Sequence, residues 1–308
     1  MTQVVLVGPG KDVERVHSAM AALRPALSFC RPDEPQAAEA DIAICWAPPP
    51  GSLGALPNLR LIHSVGAGAD NIISEVSRDK NVPICRIVDP GHCQGMFEYV
   101  LWGVLHYHRH FDSMLQNQRT DTWQRPAQRA AYETTVGVMG LGTLGKACAS
   151  GLARLGFNVR GWARGTHTLD GVKTFDSTQL GDFLIGVDIL ICLLPLTEET
   201  RGILCADTFS QLAPGAAVIN CGRGAHLRED DLLQALEARS IRGALLDVFS
   251  VEPLPLGHPL WQTDGVIVTP HVASSASFKV IAQQILDNID RLQAGELPVN
   301  RVDGDLGY

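Results

Sequence analysis

Three glycines, Gly140, Gly142 and Gly145, stand in the spacing G-x-G-x-x-G, after the apolar run Thr134-Thr135-Val136-Gly137-Val138-Met139 and before a stretch of small residues from Lys146 to Ala153. That spacing suits a pyrophosphate. The first glycine permits a tight turn, the second lets backbone N–H groups approach the ligand, and the third lets a helix pack closely on its strand. A helix that begins there adds partial positive charge and free N–H donors. The next apolar segment, 157–163, ends at Arg164, where a dinucleotide fold reads the ribose. A carboxylate at that place accepts hydrogen bonds from both ribose hydroxyls of NAD, whereas a guanidinium only donates and suits the 2′-phosphate of NADP. NADP(H) is therefore the expected cofactor, with NAD(H) as the alternative. The competing reading of Arg164 is a solvated surface side chain.

At 308 residues the chain is longer than one core usually supports, so two domains are expected. A hydrophobic fraction of 45% with 19% charged residues fits a globular enzyme, and a net charge of −8 without a basic run argues against nucleic acid or an anionic membrane as partner. No apolar stretch approaches about 18 residues, and no signal-peptide pattern precedes the first strand-like segment, so a cytoplasmic location is expected. The eight cysteines form no C-x-x-C pair and read as small buried hydrophobes rather than a disulfide framework or metal site.

The elements that must position these groups follow from the alternation of apolar strands with helical stripes. In the first part, 4–7, 41–46, 59–64 and 82–86 read as strands, with a helix striped by Val13, Val16, Met20 and Leu23. Gly8-Pro9-Gly10-Lys11 lacks the spacing of a phosphate loop and reads as a turn and helix start. One long helix is expected from about 97 to 115, with Phe97, Leu101, Val104, Leu105, Phe111 and Leu115 on its apolar face. His106, His108 and His110 do not converge on that helix, so no metal site is expected. Strands at 134–139, 157–163, 187–194, 216–220, 243–248 and 265–269 follow, with a helix at 230–239 among them. A last helix at 276–292, striped by Phe278, Ile281, Ile285, Ile289 and Leu292, has only the first domain left to pack on. The expected class is α/β, two doubly wound Rossmann-like domains with parallel sheets and the active site in the cleft between them. Residues 1–96 with 272–308 make a discontinuous outer, substrate-binding domain, and 97–271 an NAD(P)-binding Rossmann domain. Ligands of such sheets lie outside the carboxyl ends of the strands. The expected cofactor contacts are Gly140, Gly142, Thr143, Leu144, Gly145, Arg164, Leu194, Pro195, Cys221 and Asp247.

Three loops at strand ends complete the pattern: Asn220-Cys221-Gly222-Arg223-Gly224, Asp247-Val248-Phe249-Ser250-Val251-Glu252-Pro253-Leu254-Pro255 and Thr269-Pro270-His271-Val272-Ala273. Their order and spacing resemble the D-2-hydroxyacid dehydrogenase family along nearly the whole chain. The resemblance implies that Arg223 binds the substrate carboxylate and polarises the keto oxygen, that Glu252 pairs with a histidine, and that His271 is the proton donor. Elementary chemistry agrees. Reduction of a 2-keto acid puts negative charge on the carbonyl oxygen, which needs a fixed cation and a nearby acid. Histidine, with an unperturbed pKa of about 6.5, serves both directions, and a carboxylate on its far nitrogen orients the ring and favours its protonated form.

Within the family the chain is most similar to the short glyoxylate/hydroxypyruvate reductase branch. The matching pieces are Trp46-Ala47-Pro48-Pro49, Ser64-Val65-Gly66-Ala67-Gly68-Ala69-Asp70, Met96-Phe97-Glu98-Tyr99 and Arg164. In that branch the turn with Val65 and Gly66 offers backbone N–H groups to the substrate carboxylate, and Trp46 walls the pocket. On residue grounds alone the turn is ordinary and Trp46 is equally a core residue. The branch implies reduction of a small 2-keto acid, glyoxylate or hydroxypyruvate, to the D-2-hydroxy acid by a homodimer. Two other readings stay open: a cofactor-sensing, corepressor-like binding protein on the same fold, and a dehydrogenase for a bulkier 2-hydroxy acid.

Overall fold

Strand β1 (Gln3–Val7) is apolar almost throughout because both of its faces are covered: Val4 and Leu6 join one buried cluster, Val5 and Val7 another. The computed structural model describes residues 2–9, 11–73, 75 and 82–302. Its packing divides into two units, Met1–Pro90 with Ser275–Tyr308 and Gly91–Ser274. In the first, β1 leads to α1 (Lys11–Leu23), β2 (Ser28–Cys30), β3 (Ile42–Cys45), β4 (Leu61–Ser64), α2 (Asp70–Ile73) and β5 (Ile84–Cys85). The five strands make one parallel sheet in the order β2-β1-β3-β4-β5. Gly10, expected from the sequence in a turn at the helix start, lies outside the described residues.

The second unit begins with α3 (Pro90–His108) and α4 (Phe111–Arg119). It continues through β6 (Thr135–Met139), α5 (Thr143–Arg154), β7 (Asn158–Trp162), β8 (Val172–Phe175), α6 (Leu180–Leu184) and β9 (Ile189–Cys192). It closes with α7 (Ala206–Gln211), β10 (Ala216–Asn220), α8 (Glu229–Glu237), β11 (Ile241–Leu246) and β12 (Val266–Val268). Seven parallel strands run in the order β12-β11-β10-β9-β6-β7-β8, so the winding reverses between β6 and β9, the switch point of a doubly wound sheet. One face carries Met139, Leu190, Val218 and Leu246, the other Val138, Ile191, Ile219 and Leu245.

The chain then returns to the first unit as α9 (Phe278–Gln293), whose Ile281, Ile285, Leu286 and Ile289 join Val13, Val16 and Met20 in one buried cluster. The Ser277 hydroxyl caps it by accepting the Val280 N–H. Arg24 of the segment after α1 donates twice to Asp290 at 2.6 Å.

Three features correct the sequence reading. The single helix at 97–115 is two helices, broken at His110, which stands at φ +60°. Arg242 makes the break, because its guanidinium donates to the Tyr107 carbonyl and, at 2.8 Å, to His110 Nδ1, capping α3. Leu105, Phe111 and Leu115, assigned to the apolar face, are exposed instead. The short strands β2 and β8 went unread because neither shows a sustained alternation. The crossings fall at 90/91 and 274/275 rather than near 96 and 272, since Pro90 opens α3 and nearly all of that helix belongs to the second unit. Among the described residues no helix is long and apolar enough to cross a membrane, and no group of His, Cys, Asp and Glu side chains could hold a metal ion.

Candidate active site

The glycine turn follows β6 at the carboxyl edge of the seven-stranded sheet. Gly140 sits at φ +96°, and a Cβ there would meet the Leu193 carbonyl oxygen at 2.6 Å. A Cβ on Gly145 would lie 1.7 Å from the Gly140 carbonyl oxygen, so both positions admit only glycine. Beside Gly142 there is nothing within 4 Å, and α5 starts there without a side-chain cap. An open cradle against the uncapped first turn of a twelve-residue helix fits a pyrophosphate. Thr143 is exposed, Leu144 partly buried, and Arg164 is exposed just beyond β7. The Arg164 charge reaches Glu199, whose carboxyl is held below the usual range chiefly by the Thr197 hydroxyl and its own N–H. Leu194 and Pro195 follow β9, Cys221 follows β10 and Asp247 follows β11, so all ten expected cofactor positions share one edge of one sheet.

On that same edge lie the three loops with chemistry. His271 Nδ1 stands 2.8 Å from Glu252 Oε2, and the other oxygen, Oε1, accepts the Phe249 N–H at 2.9 Å. Burial pushes the Glu252 carboxyl up, but the hydrogen bonds from His271 and Phe249 and the charges of His271 and Arg223 outweigh it and hold the group below its ordinary value. The two side chains are 35% and 36% exposed. Arg223 is half-buried, with Nη1 donating to the Gly222 carbonyl.

Asp247 is 1% exposed, and its carboxylate is turned to the His271 loop. Oδ1 accepts the Thr269 hydroxyl at 2.6 Å and the Val272 N–H at 2.8 Å, while Oδ2 accepts the Ala273 N–H at 2.9 Å. Its backbone carbonyl accepts the His271 N–H, fixing a residue that stands at φ +55°. Tyr99 on α3 completes the set by a 2.5 Å hydrogen bond with Thr269 Oγ1.

Trp46, Val65 and Gly66 belong to the first unit, where they meet one another. The half-buried Trp46 ring lies on Gly66 so closely that a Cβ there would come within 2.6 Å of it. The N–H groups of the turn are already engaged: Val65 N–H donates to the Cys45 carbonyl at 3.2 Å, extending the β3–β4 ladder, and Gly66 N–H donates to Ser64 Oγ at 3.1 Å. An incoming carboxylate would have to take the place of that hydroxyl.

Sequence reasoning missed Asn220, His226, Thr269 and Tyr99, all of which hold the loops rather than face them. Asn220 and His226 flank Arg223 at intervals of three, a local signal for side chains that satisfy loop backbone, but their partners emerge only in the fold.

A Rossmann unit with a phosphate turn, a guanidinium and a carboxylate-backed imidazole on one sheet edge is equipped for nicotinamide-dependent hydride transfer. Residues 101–273 match the family model described as D-isomer specific 2-hydroxyacid dehydrogenase, NAD binding domain. The glyoxylate/hydroxypyruvate reductase A of Serratia proteamaculans (strain 568) is 43% identical over 275 residues, 87% of this chain and 88% of that protein. A D-isomer specific 2-hydroxyacid dehydrogenase family protein from Klebsiella pneumoniae 342 superposes with a TM-score of 0.93 at 42% identity, covering 99% of this chain and 98% of that one. The NADPH-dependent glyoxylate/hydroxypyruvate reductase of Sinorhizobium meliloti, solved with NADP and sulfate, does so with 0.89 at 33% identity over 100% of both chains. The chain thus belongs to the D-isomer-specific 2-hydroxyacid dehydrogenase family.

Proposed function

We propose that this protein reduces a small 2-keto acid, glyoxylate or hydroxypyruvate, to the D-2-hydroxy acid with NADPH, in the cytoplasm. The observation that carries the reading is the His271–Glu252 pair on the same sheet edge as the glycine cradle. Relatives named glyoxylate/hydroxypyruvate reductase and a neighbour solved with NADP support it. When bound, the nicotinamide supplies the hydride. Gly140, Gly142 and Gly145 seat the pyrophosphate, and Arg164 takes the 2′-phosphate, which disfavours NADH. Arg223 holds the substrate carboxylate and the oxygen on which charge develops. Glu252 occupies Nδ1 of His271, so Nε2 is the atom that gives its proton to that oxygen and recovers it in the reverse direction. Trp46 limits the size of the substrate side chain.

Mixing the protein with NADPH and glyoxylate, and following the absorbance of the reduced nicotinamide, tests the reading. Oxidation with a specificity constant about ten- to a hundredfold above that for NADH, lost in Arg164→Ala, is expected. Equal use of both cofactors, unchanged in Arg164→Ala, removes the phosphate role, and a better rate with phenylpyruvate than with glyoxylate removes the small-substrate reading.

The active form is proposed to be a homodimer. Trp102, Phe111, Leu115 and Trp123, the last 91% exposed, lie along α3, α4 and the segment after them, beside a groove of about 770 Å³ that shares no residue with the site. Light scattering should give twice the chain mass, and Trp123→Ser should shift the protein toward monomer.

A further inference from the structure

Arg223 is the only cation assigned to the substrate, yet the features that aim it lie in its backbone. Both polar groups of its main chain are held by side chains that are themselves 0% exposed. The Arg223 N–H donates to His226 Nδ1 at 3.0 Å, and Asn220 Nδ2 donates to the Arg223 carbonyl at 3.1 Å. Asn220 Oδ1 also accepts the Gly222 N–H at 3.2 Å, which fixes the peptide just before Arg223. The imidazole packs against Gly222, where a Cβ would come within 2.8 Å of Nδ1.

The second ring nitrogen leads elsewhere. His226 Nε2 lies 3.2 Å from the Pro195 carbonyl oxygen, in the loop after β9 that is assigned to the cofactor. A carbonyl only accepts, so Nε2 carries the hydrogen, and Nδ1, which accepts the Arg223 N–H, carries none. One neutral tautomer therefore satisfies both contacts, and a ring flip would break both. The Pro195 carbonyl also accepts the Thr200 hydroxyl at 2.8 Å, which closes that loop on itself. Leu204 N–H donates to the His226 carbonyl, so the residue is anchored by its own backbone as well. Buried polar side chains are costly unless fully partnered, and apolar residues would fill the same space more cheaply. Here two of them converge on one residue, and that residue is the proposed substrate cation.

We infer that His226 is a positioning residue that sets the direction of Arg223 and ties it to the Leu194–Pro195 loop, so that one imidazole aligns the substrate cation with the cofactor side of the site. The inference rests on the reading of Arg223 and of the cofactor loop given above. It separates the two ring nitrogens by function. His226→Asn keeps an acceptor at the place of Nδ1 and loses the donor to Pro195. His226→Gln keeps a donor at the place of Nε2 and loses the acceptor for Arg223.

The test measures NADPH affinity by fluorescence titration without substrate, and glyoxylate kinetics at saturating NADPH, with thermal melts of each variant. His226→Gln should lower kcat/KM for glyoxylate by about ten- to a hundredfold with NADPH affinity near that of the native protein. His226→Asn should weaken NADPH roughly tenfold and keep most of kcat/KM for glyoxylate. Parallel loss of both quantities in both variants, in step with melting temperature, would mean a merely structural residue, and unchanged values in both would equally overturn the inference. Should His226→Gln fail to fold, Asn220→Ser, which removes the donor to the Arg223 carbonyl, carries the same expectation for glyoxylate. Arg223→Lys is the control: if it is harmless, the reading of Arg223 is at fault, and if it is harmful while His226→Gln is not, the positioning role alone fails.

Discussion

In the proposed reaction His271 has a single nitrogen for chemistry because Glu252 occupies the other, and Glu252 is itself held by the Phe249 N–H. Removing the acid in His271→Ala should lower turnover by roughly a hundred- to ten-thousandfold while NADPH binding, titrated separately, changes little. Glu252 stays ionised through neutral pH because its carboxyl is held below the ordinary value. Glu252→Gln removes that charge, so turnover should be lower throughout and the fall that the native protein shows as Glu252 takes up a proton at low pH should be absent from the variant. An unchanged pH–rate profile would show that the pair is structural. The pairing of Glu252 with His271 was legible in the sequence through the resemblance of the three strand-end loops to the family. The supports of those loops were not, since Asn220, His226 and Asp247 owe their roles to which buried groups meet after folding.

At the scale of elements, the turn that carries His271 is a product of Asp247 more than of its own residues. Three donors converge on one carboxylate, and an amide can satisfy at most part of that set. Asp247→Asn should therefore destabilise the protein by about 1–3 kcal/mol and lower turnover with NADPH affinity retained. If the variant instead lost NADPH affinity at full turnover, Asp247 would be a cofactor contact in its own right. Strand and helix alternation exposed most of the strands in the sequence, down to the ends of β10, though not their order in the sheets. The break between α3 and α4 stayed hidden because its cause, Arg242, stands 132 residues away from His110. A cap supplied from so far along the chain leaves no local trace.

At the scale of the whole molecule, His63 is an acid-sensitive buried group that lies away from the chemistry. His63, fully buried on β4, donates from Nδ1 to the Ser64 carbonyl at 2.8 Å and at Nε2 accepts from Asn288 Nδ2 of α9 at 3.1 Å, and burial pushes its pKa down to about 4. Between pH 6.5 and 4 the unfolded chain binds a proton here that the folded chain does not. Stability should therefore fall as pH drops through that window, by up to about 3 kcal/mol from this group, and be insensitive to it above. Denaturant midpoints at pH 7 and pH 5 should differ less in His63→Gln than in the native protein; an equal difference would assign the acid limb to other groups.

The return of α9 to the first unit also orders events during synthesis. Val13, Val16 and Met20 of α1 lack the α9 part of their buried cluster until Ile281 to Ile289 have been made, about 260 residues later. At about 5–20 residues per second that is a wait of roughly 13–52 s for the N-terminal segment. The 91–274 unit, one continuous stretch of chain, is complete while the earlier segment is still waiting. A chain arrested after Ser274 should accordingly bind NADPH and resist protease across 91–274, yet be cleaved within residues 1–90. Protection of both segments in the arrested chain would show that the first sheet forms without its last helix.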